Sequence, residues 1–253
     1  MYPLFILKII VGGVQKSGTT SLFSYLSTHP DLLPSSQKET HFFDNEKLDW
    51  SSPDYSLLQS FYPHSDTRQL PFDITPIYLF WPPSLRRIYN YNPAMKLIFI
   101  FRVPIERAWS HWKMETSRNA EKLPFHTAIR SGRARLNGIS LLDPAWRRYS
   151  YIERGLYASQ LKKLYEIFPP EQILLLRSTD LLQNHVYVLK KISEFLTIED
   201  FPNQPARNEF VNTDNNASLC DEDIRYLRDL FYDEVLEFSK ISKLSVHDWL
   251  TLN

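Results

Sequence analysis

Short apolar runs alternate with amphipathic segments along most of the chain. Four of the apolar runs are rich in branched residues and have the length of buried strands. They are residues 5–13 (FILKIIVGG), 68–74 (RQLPFDI), 95–102 (MKLIFIFR) and 172–177 (QILLLR). Because strands that alternate with helices form parallel sheets with right-handed crossovers, the pattern predicts an α/β fold. We expect a single domain over residues 1–253, in which helices flank a central parallel sheet.

The amphipathic segments predict the helices. Apolar residues recur at roughly helical spacing in residues 20–28, 84–91, 105–117 and 155–168, and in a C-terminal segment that ends near Phe238. Pro104 suits the first turn of the third segment, and Ser218 with Asp221 forms a capping box for the last one. Residues 117–150 and 197–217 show neither period, so we expect irregular, lid-like structure there.

The chain is electrically neutral overall. It contains 29 Lys and Arg and 29 Asp and Glu, so no global positive field attracts nucleic acid or an acidic membrane. The apolar stretch 4–14 contains Lys8 and is too short for a membrane span. The single cysteine, Cys220, cannot form a disulfide within the chain and is typical of a reducing compartment. We therefore expect a cytoplasmic protein without an integral membrane segment and without a nucleic-acid partner.

A glycine-rich loop follows the first predicted strand. Residues 12–22 have the sequence GGVQKSGTTSL and lead into the first predicted helix. Gly13 and Gly18 keep the spacing of a nucleotide phosphate loop, but Lys16 lies inside the loop instead of directly after the second glycine. Backbone N–H groups at a strand-to-helix junction bind anions, and the hydroxyls of this loop add further donors. The loop therefore predicts a P-loop-like nucleotide-binding architecture.

A metal-dependent kinase would need two further features. One is a lysine directly after Gly18, and the other is an acidic residue at the end of a neighbouring strand that helps to hold magnesium. Thr19 and Arg102 stand at those positions. The sequence also lacks a Cys pair and an H-x-x-x-H motif on a predicted helix, so it predicts no metal site. We expect a highly anionic nucleotide that is bound without a metal ion.

Two motifs resemble the donor site of a known enzyme family. QKSGTTSL (15–22) is similar to the 5′-phosphosulfate loop of sulfotransferases that use 3′-phosphoadenosine 5′-phosphosulfate (PAPS). IFRVPIERAWSHW (100–112) resembles their 3′-phosphate motif, with Arg102 and Ser110 in the matching positions. The resemblance implies a PAPS-dependent sulfotransferase that transfers a sulfuryl group to an acceptor hydroxyl.

Three further segments resemble the heparan sulfate sulfotransferase branch of that family. KETHFFD (38–44) is similar to the segment that carries the catalytic glutamate. DITPIYL (73–79) and residues 154–181 also resemble segments of that branch, in the same order. The likeness covers about residues 9 to 182, and it is weaker in the C-terminal helix.

The resemblance implies roles for the donor residues. The residues expected to hold the 5′-phosphosulfate are Lys16, Ser17, Gly18, Thr19, Thr20 and Ser21. Lys16 would neutralise the leaving phosphate as the S–O bond breaks, in place of a metal ion. Arg102 and Ser110 would bind the 3′-phosphate. We expect Arg107, in contrast, to be an exposed helix residue that pairs with an acid.

Glu39 is the expected general base, because the family's catalytic glutamate falls on it. Neighbouring Lys38 lowers its pKa and burial raises it, and the sequence leaves the balance open. His41 is either a competing base or a residue that orients the acceptor, and Asp44 either holds the acceptor or fixes Lys16. The expected contacts to the acceptor are Lys38, Asp44, Asp73 and Tyr78.

The sequence departs from the heparan 3-O-sulfating relatives at two positions, since Thr20 and Ile74 stand where those relatives carry cations. A basic, glycine-containing C-terminal loop is also not evident in PARNEFVNTDNN (205–216). We therefore expect an acceptor of low charge: a neutral sugar, a glycolipid or a small hydroxylated metabolite. Two alternatives stay open, a small-molecule kinase with an altered phosphate loop and a nucleotide-binding module without turnover. The intact Lys16 and Glu39 favour an enzyme.

Overall fold

The computed structural model describes residues 5–62, 68–207 and 219–251. Within these residues five strands form one parallel sheet in the order β2-β3-β1-β4-β5. The strands are β1 (Ile9–Gly13), β2 (Leu32–Pro34), β3 (Leu70–Ile74), β4 (Lys96–Phe101) and β5 (Ile173–Arg177). The predicted α/β fold with a central parallel sheet flanked by helices is therefore confirmed.

The sequence pattern missed strand β2. Its three residues pair with β3 at the edge of the sheet, where Leu32 lies opposite Leu70. A strand this short shows no period, and Pro34 argues against a strand unless the strand lies at an edge. The other four strands begin one to four residues later than predicted, and β4 also ends one residue earlier.

Helices follow most of the strands, as in a βαβ arrangement. They are α1 (Thr19–Leu26), α2 (Ser56–Ser60), α3 (Ser84–Tyr91), α4 (Pro104–Ser117), α5 (Phe125–Ala128), α6 (Ala145–Tyr149), α7 (Tyr157–Tyr165), α8 (Ser178–Gln183), α9 (His185–Leu196) and α10 (Asp221–Ser242). Short 3₁₀ segments cover Ser131–Leu136, Glu153–Gly155, Pro170–Gln172 and His247–Trp249.

Two predictions about these helices need correction. Residues 117–150 are irregular only in part, since α5, α6 and a 3₁₀ segment form there. Helix α10 continues four residues past Phe238, to Ser242. The predicted cap Ser218 lies outside the described residues, and Cys220 precedes the first residue of α10.

The chain divides into two compact units. The first contains the described residues up to Phe101 together with 164–207, and the second contains 102–163 and 219–251. That residues 1–253 form a single domain is neither confirmed nor contradicted by this division and stays a prediction. Within residues 5–62, 68–207 and 219–251, no helix combines the length and the apolar character needed to cross a membrane.

The apolar core of the first unit covers one face of the sheet. Alternate residues of a strand point to the same side, so Ile9 and Val11 of β1 share this face with Ile98 and Ile100 of β4. Helices α1, α8 and α9 close the core with Leu22, Tyr25, Leu26, Leu181, Val188, Leu189, Ile192 and Leu196. This packing fixes the carboxyl end of β1, where the glycine-rich loop begins.

Gly12 permits the close approach of two strands at that end of β1. A Cβ atom at this position would lie 2.8 Å from the ring of Phe99 on β4. Real Cβ contacts are longer, so a larger residue would force the ring or the strand to move. The first glycine of the loop therefore has a packing role.

Candidate active site

The glycine-rich loop joins β1 to α1. Gly18 is the residue before α1 and has a φ of 91°, a left-handed conformation that glycine adopts without strain. Among the residues that the structure describes, no side chain caps the N-terminus of α1, and no acidic residue lies in its first turn. The N-terminus of the helix therefore keeps the positive end of its dipole for a ligand anion.

Two loop residues have features that fit a ligand site at this junction. Ser17 is fully buried, and its Oγ has no hydrogen-bond partner within the described part of the chain. A buried hydroxyl without a partner is costly, so the atom fits a site that a ligand oxygen completes. Lys16 has a φ of 72°, a strained conformation for a residue with a side chain. Both features fit the phosphosulfate that the sequence predicts.

The second predicted cluster lies on the segment that follows β2. The N–H of Glu39 donates to the carbonyl of Ile74, which ties this segment to the end of β3. Glu39 and His41 have φ values of 62° and 51°. Together with Lys16 they make up three of the six described non-glycine residues with positive φ. Backbone strain of this kind gathers at functional sites, and here it coincides with the predicted catalytic residues.

Four charged side chains of this segment contact one another in a row. Lys38 Nζ lies 2.5 Å from Glu39 Oε1, and Glu39 Oε2 lies 3.6 Å from His41 Nε2. The other ring nitrogen of His41, Nδ1, lies 3.0 Å from Oδ2 of Asp44. Asp44 is 2% exposed, whereas the side chain of Glu39 is 38% exposed. The buried carboxylate thus holds the imidazole, and the exposed carboxylate is open to an acceptor.

The neighbouring charges indicate which form each group takes. Burial, the largest influence, raises the pKa of Glu39, but His41 and Lys38 outweigh burial and lower that pKa to about 2. The hydrogen bond with Asp44, followed by the interaction with Glu39, raises the pKa of His41 to about 9. At neutral pH Glu39 is therefore a carboxylate and His41 an imidazolium, which has no lone pair to accept a proton. This favours Glu39 as the base and His41 as an orienting residue.

Asp73 and Tyr78 support this segment from inside the protein. Both side chains are fully buried, and their predicted contact with an acceptor stays a prediction. The carboxylate of Asp73 accepts hydrogen bonds of about 3.0 Å from the hydroxyls of Thr40, Thr75 and Tyr78. It also accepts a weaker bond of 3.4 Å from the N–H of Thr40, the residue between Glu39 and His41. Asp73 therefore holds the segment that carries the base.

Sequence reasoning missed Thr40 and Thr75. Burial raises the pKa of Asp73, and the hydroxyls around it oppose that effect. The one signal in the sequence was Asp73 near the end of a predicted strand, in the run D-I-T-P-I-Y (73–78). That pattern does not reveal which residue of another segment meets the carboxylate.

In the second unit, Arg102 begins the segment that leads into α4. Its Nε lies 2.9 Å from Oε2 of Glu106, one helical turn ahead, and its side chain is 24% exposed. The hydroxyl of Tyr157 donates to the carbonyl of Arg102 and fixes the backbone there. Ser110 is half-buried on α4. The roles of Arg102 and Ser110 toward a 3′-phosphate stay predictions.

Arg107 differs from the prediction of an exposed, acid-paired residue. It is fully buried, and it donates to the carbonyl of Tyr151. No carboxylate in residues 5–62, 68–207 or 219–251 lies within ion-pair distance of it, and burial lowers its pKa. Arg107 falls on the face of α4 that packs inward, together with Ala108 and His111. The helical position outweighed the expected preference of a charge for the surface.

No group of three or more His, Cys, Asp or Glu side chains that could hold a metal ion occurs in the part of the chain that the structure describes. The parallel sheet and the glycine-rich loop at the end of β1 together define a nucleotide-binding α/β protein of the P-loop-like class. The chain belongs to the sulfotransferase domain family, because the model of that family matches residues 7–250.

Curated relatives confirm the predicted resemblance to the heparan sulfate branch. The chain is 28% identical over 195 residues to heparan sulfate glucosamine 3-O-sulfotransferase 6 of Mus musculus, an alignment that covers 76% of this chain and 52% of the relative. It is 28% identical over 225 residues to heparan sulfate glucosamine 3-O-sulfotransferase 5 of Homo sapiens, covering 83% of this chain and 57% of the relative. The chain thus spans about half the length of these curated relatives.

Solved structures agree on the fold. The sulfotransferase from Alicyclobacillus acidocaldarius superposes with a TM-score of 0.79, at 22% identity, over 97% of this chain and 99% of that one. Mouse sulfotransferase SULT7A1 in complex with PAP superposes with a TM-score of 0.52, at 15% identity, over 91% of this chain and 85% of that one. At these identities the likeness shows the fold alone.

Proposed function

We propose that this protein transfers a sulfuryl group from PAPS to a hydroxyl of an acceptor of low charge. The observation that carries the proposal is the arrangement of Glu39, His41 and Asp44 on a strained segment, in the same unit as a loop with a buried, unpartnered Ser17 hydroxyl. An ionised, half-exposed carboxylate is the group needed to remove the acceptor proton. A lysine-containing anion loop is the group needed to bind the donor.

Glu39 acts as the base although its pKa is low. The acceptor hydroxyl becomes strongly acidic as its oxygen bonds to sulfur, so a weak carboxylate base suffices when the proton leaves late. His41, held by Asp44, keeps Glu39 ionised and in place. The low pKa weakens the driving force for proton transfer to Glu39 early in the reaction. It also keeps Glu39 ionised at every physiological pH.

Lys16 and the loop act on the leaving group. The ammonium of Lys16, the Ser17 hydroxyl and the N-terminus of α1 stabilise the negative charge that develops on the 5′-phosphate. Arg102 and Ser110 bind the 3′-phosphate of the donor. The lysine inside the loop and the cation after β4 favour this reaction over a magnesium-dependent kinase. Membership of the sulfotransferase domain family supports the same choice of nucleotide.

Three observations support an acceptor of low charge. Ile74 lies in the apolar core, so that position offers no surface cation, and Thr20 is exposed and uncharged. Two adjacent arginines could form a basic edge: Arg86 is exposed, whereas Arg87 is neutralised by a bidentate pair with Glu46 and stacks on Trp50. The names of the curated relatives point instead to heparan sulfate, a polyanion. Turnover of heparan sulfate but not of neutral hydroxyl compounds would show that the acceptor is a polyanion and that the low-charge proposal is wrong.

The proposed reaction is tested by turnover of radiolabelled PAPS with a panel of neutral sugars, glycolipids and phenols. Glu39→Gln keeps the shape of the side chain but removes its proton affinity, so turnover falls by about 10² or more while donor binding persists. His41→Gln is the matched variant and loses less, because the carboxylate remains. A fully active Glu39→Gln with an inactive His41→Gln would reverse the roles of the two residues.

A further inference from the structure

The guanidinium of Arg87, on α3, contacts the segment that follows β2. Its NH1 donates to the carbonyl of Phe43 at 3.0 Å and to Oε1 of Glu46 at 2.8 Å, and its NH2 donates to Oε2 of Glu46 at 2.7 Å. The guanidinium carbon lies 4.2 Å from the centre of the Trp50 ring, and the side chain is only 12% exposed. The donors that make these bonds are used inside the protein, so Arg87 has an internal role.

Glu46 holds the guanidinium in one orientation. Both of its carboxylate oxygens accept from Arg87, and the indole N–H of Trp81 also donates to Oε1, at 2.6 Å. A bidentate pair between arginine and a carboxylate fixes the geometry of the donors as well as neutralising the charge. The donor that reaches the carbonyl of Phe43 therefore has a defined place.

The carbonyl of Phe43 belongs to the peptide that leads into Asp44. It also accepts from the hydroxyl of Ser84 at 3.3 Å, so two donors of α3 hold it. Because the peptide group is planar, fixing this carbonyl also fixes the backbone nitrogen and the Cα of Asp44. The carboxylate of Asp44 in turn lies 3.0 and 3.1 Å from Nδ1 of His41. Direct contacts thus lead from Arg87 to the imidazole beside the base.

We propose that Arg87 is a positioning residue for the base: through Asp44 it keeps the imidazole of His41 in place against the catalytic carboxylate. The proposal rests on the function proposed above, in which Glu39 removes the acceptor proton. The charge of Arg87 by itself acts the other way, because a nearby cation disfavours a protonated imidazole. Losing only this charge therefore raises the pKa of His41, whereas losing the hold on Asp44 lowers it.

NMR titration of the His41 ring tests the proposal without any turnover, and the absence of its signal from His41→Gln assigns it. Glu46→Gln is compared with the double variant that also carries Arg87→Met. Neither protein contains the ion pair or a carboxylate left without its arginine, and only the double variant lacks the donor to Phe43. We expect the pKa of His41 to stay close to 9 in the native protein and in Glu46→Gln. In the double variant it falls toward the ordinary value of 6.5.

Turnover gives a second measurement. Relative to Glu46→Gln, the double variant should lose about tenfold or more in kcat, because the base is displaced. Its KM for PAPS should not change, because the donor loop is intact. Ser84→Ala removes the weaker donor to the same carbonyl and is a milder change. It should lower the pKa of His41 and kcat in the same direction, but by less.

Arg86→Met is the control for a lost cation. Arg86 is adjacent on α3, exposed, and lies 5.8 Å from the centre of the Tyr89 ring, so the pKa of His41 should not fall. An unchanged or raised pKa in the double variant overturns the proposal. If the double variant does not fold, a native pKa in Ser84→Ala overturns it instead. Absence of turnover in the native protein would count against the proposed function, and the titration would still decide whether Arg87 positions His41.

Discussion

Glu39 keeps its negative charge because two cations outweigh its burial. Lys38 and His41 contact its two carboxylate oxygens, and together they lower its pKa to about 2 although burial raises it. The sequence KETHFFD was enough to predict Glu39 as the base, and to predict that Lys38 lowers its pKa while burial raises it. The resulting low pKa of Glu39 was not predictable, because it depends on the left-handed backbone that turns His41 toward both Glu39 and Asp44.

The charge of His41 makes stability depend on pH in a defined window. The folded protein holds this proton up to about pH 9, whereas an ordinary histidine releases it near pH 6.5. The stabilisation is therefore complete below pH 6.5 and is lost as the pH rises to about 9. Because the imidazole is half-exposed, solvent screening limits the effect to about 1 kcal/mol.

Thermal denaturation between pH 6 and pH 9.5 checks this. We expect the native protein to lose more stability over that interval than His41→Gln, which cannot titrate. Parallel curves for the two proteins would mean that His41 is not held as an imidazolium in the folded state.

At the scale of elements, the carboxyl end of β3 holds the segment that carries the base. Asp73 receives both the N–H and the hydroxyl of Thr40, which lies between the two strained residues Glu39 and His41. The strain is sustained only if such bonds over-determine the backbone. The four strands β1, β3, β4 and β5 were predictable from their short apolar runs. Strand β2 and the Asp73 cluster were not, because they depend on pairing between distant segments.

Two threonines that bond to the same carboxylate separate positioning from stability. Thr40→Val and Thr75→Val each remove one buried hydroxyl from Asp73, so each should lose about 1–2 kcal/mol of stability. Only Thr40 belongs to the segment of Glu39, so only Thr40→Val should lower kcat by about tenfold with donor binding unchanged. Steady-state kinetics beside chemical denaturation measures both quantities. Equal loss of turnover in the two variants would remove the positioning role of Asp73.

At the scale of the whole molecule, the neutral composition and the parallel sheet limit the possible functions but do not specify one. The family was predictable because five motifs stand in the same order as in its members, and the match over residues 7–250 confirms it. The acceptor was not predictable to the same degree, since it depends on which side chains stay unpaired at the surface. Arg87 shows this, because its pairing with Glu46 is invisible in the sequence. Cytoplasmic location and the extent of the domain remain predictions.

Calorimetric titration with adenosine 3′,5′-bisphosphate and adenosine 5′-phosphate, in the presence of a chelator, tests the central claim most directly. The bisphosphate should bind about ten- to a hundredfold more tightly, because only it carries the anion that Arg102 binds. Arg102→Ala should remove most of that difference. Glu106→Gln should preserve or increase it, since Glu106 competes for the same guanidinium. Equal affinity of the native protein for the two nucleotides, or binding that requires magnesium, would contradict a PAPS-dependent sulfotransferase.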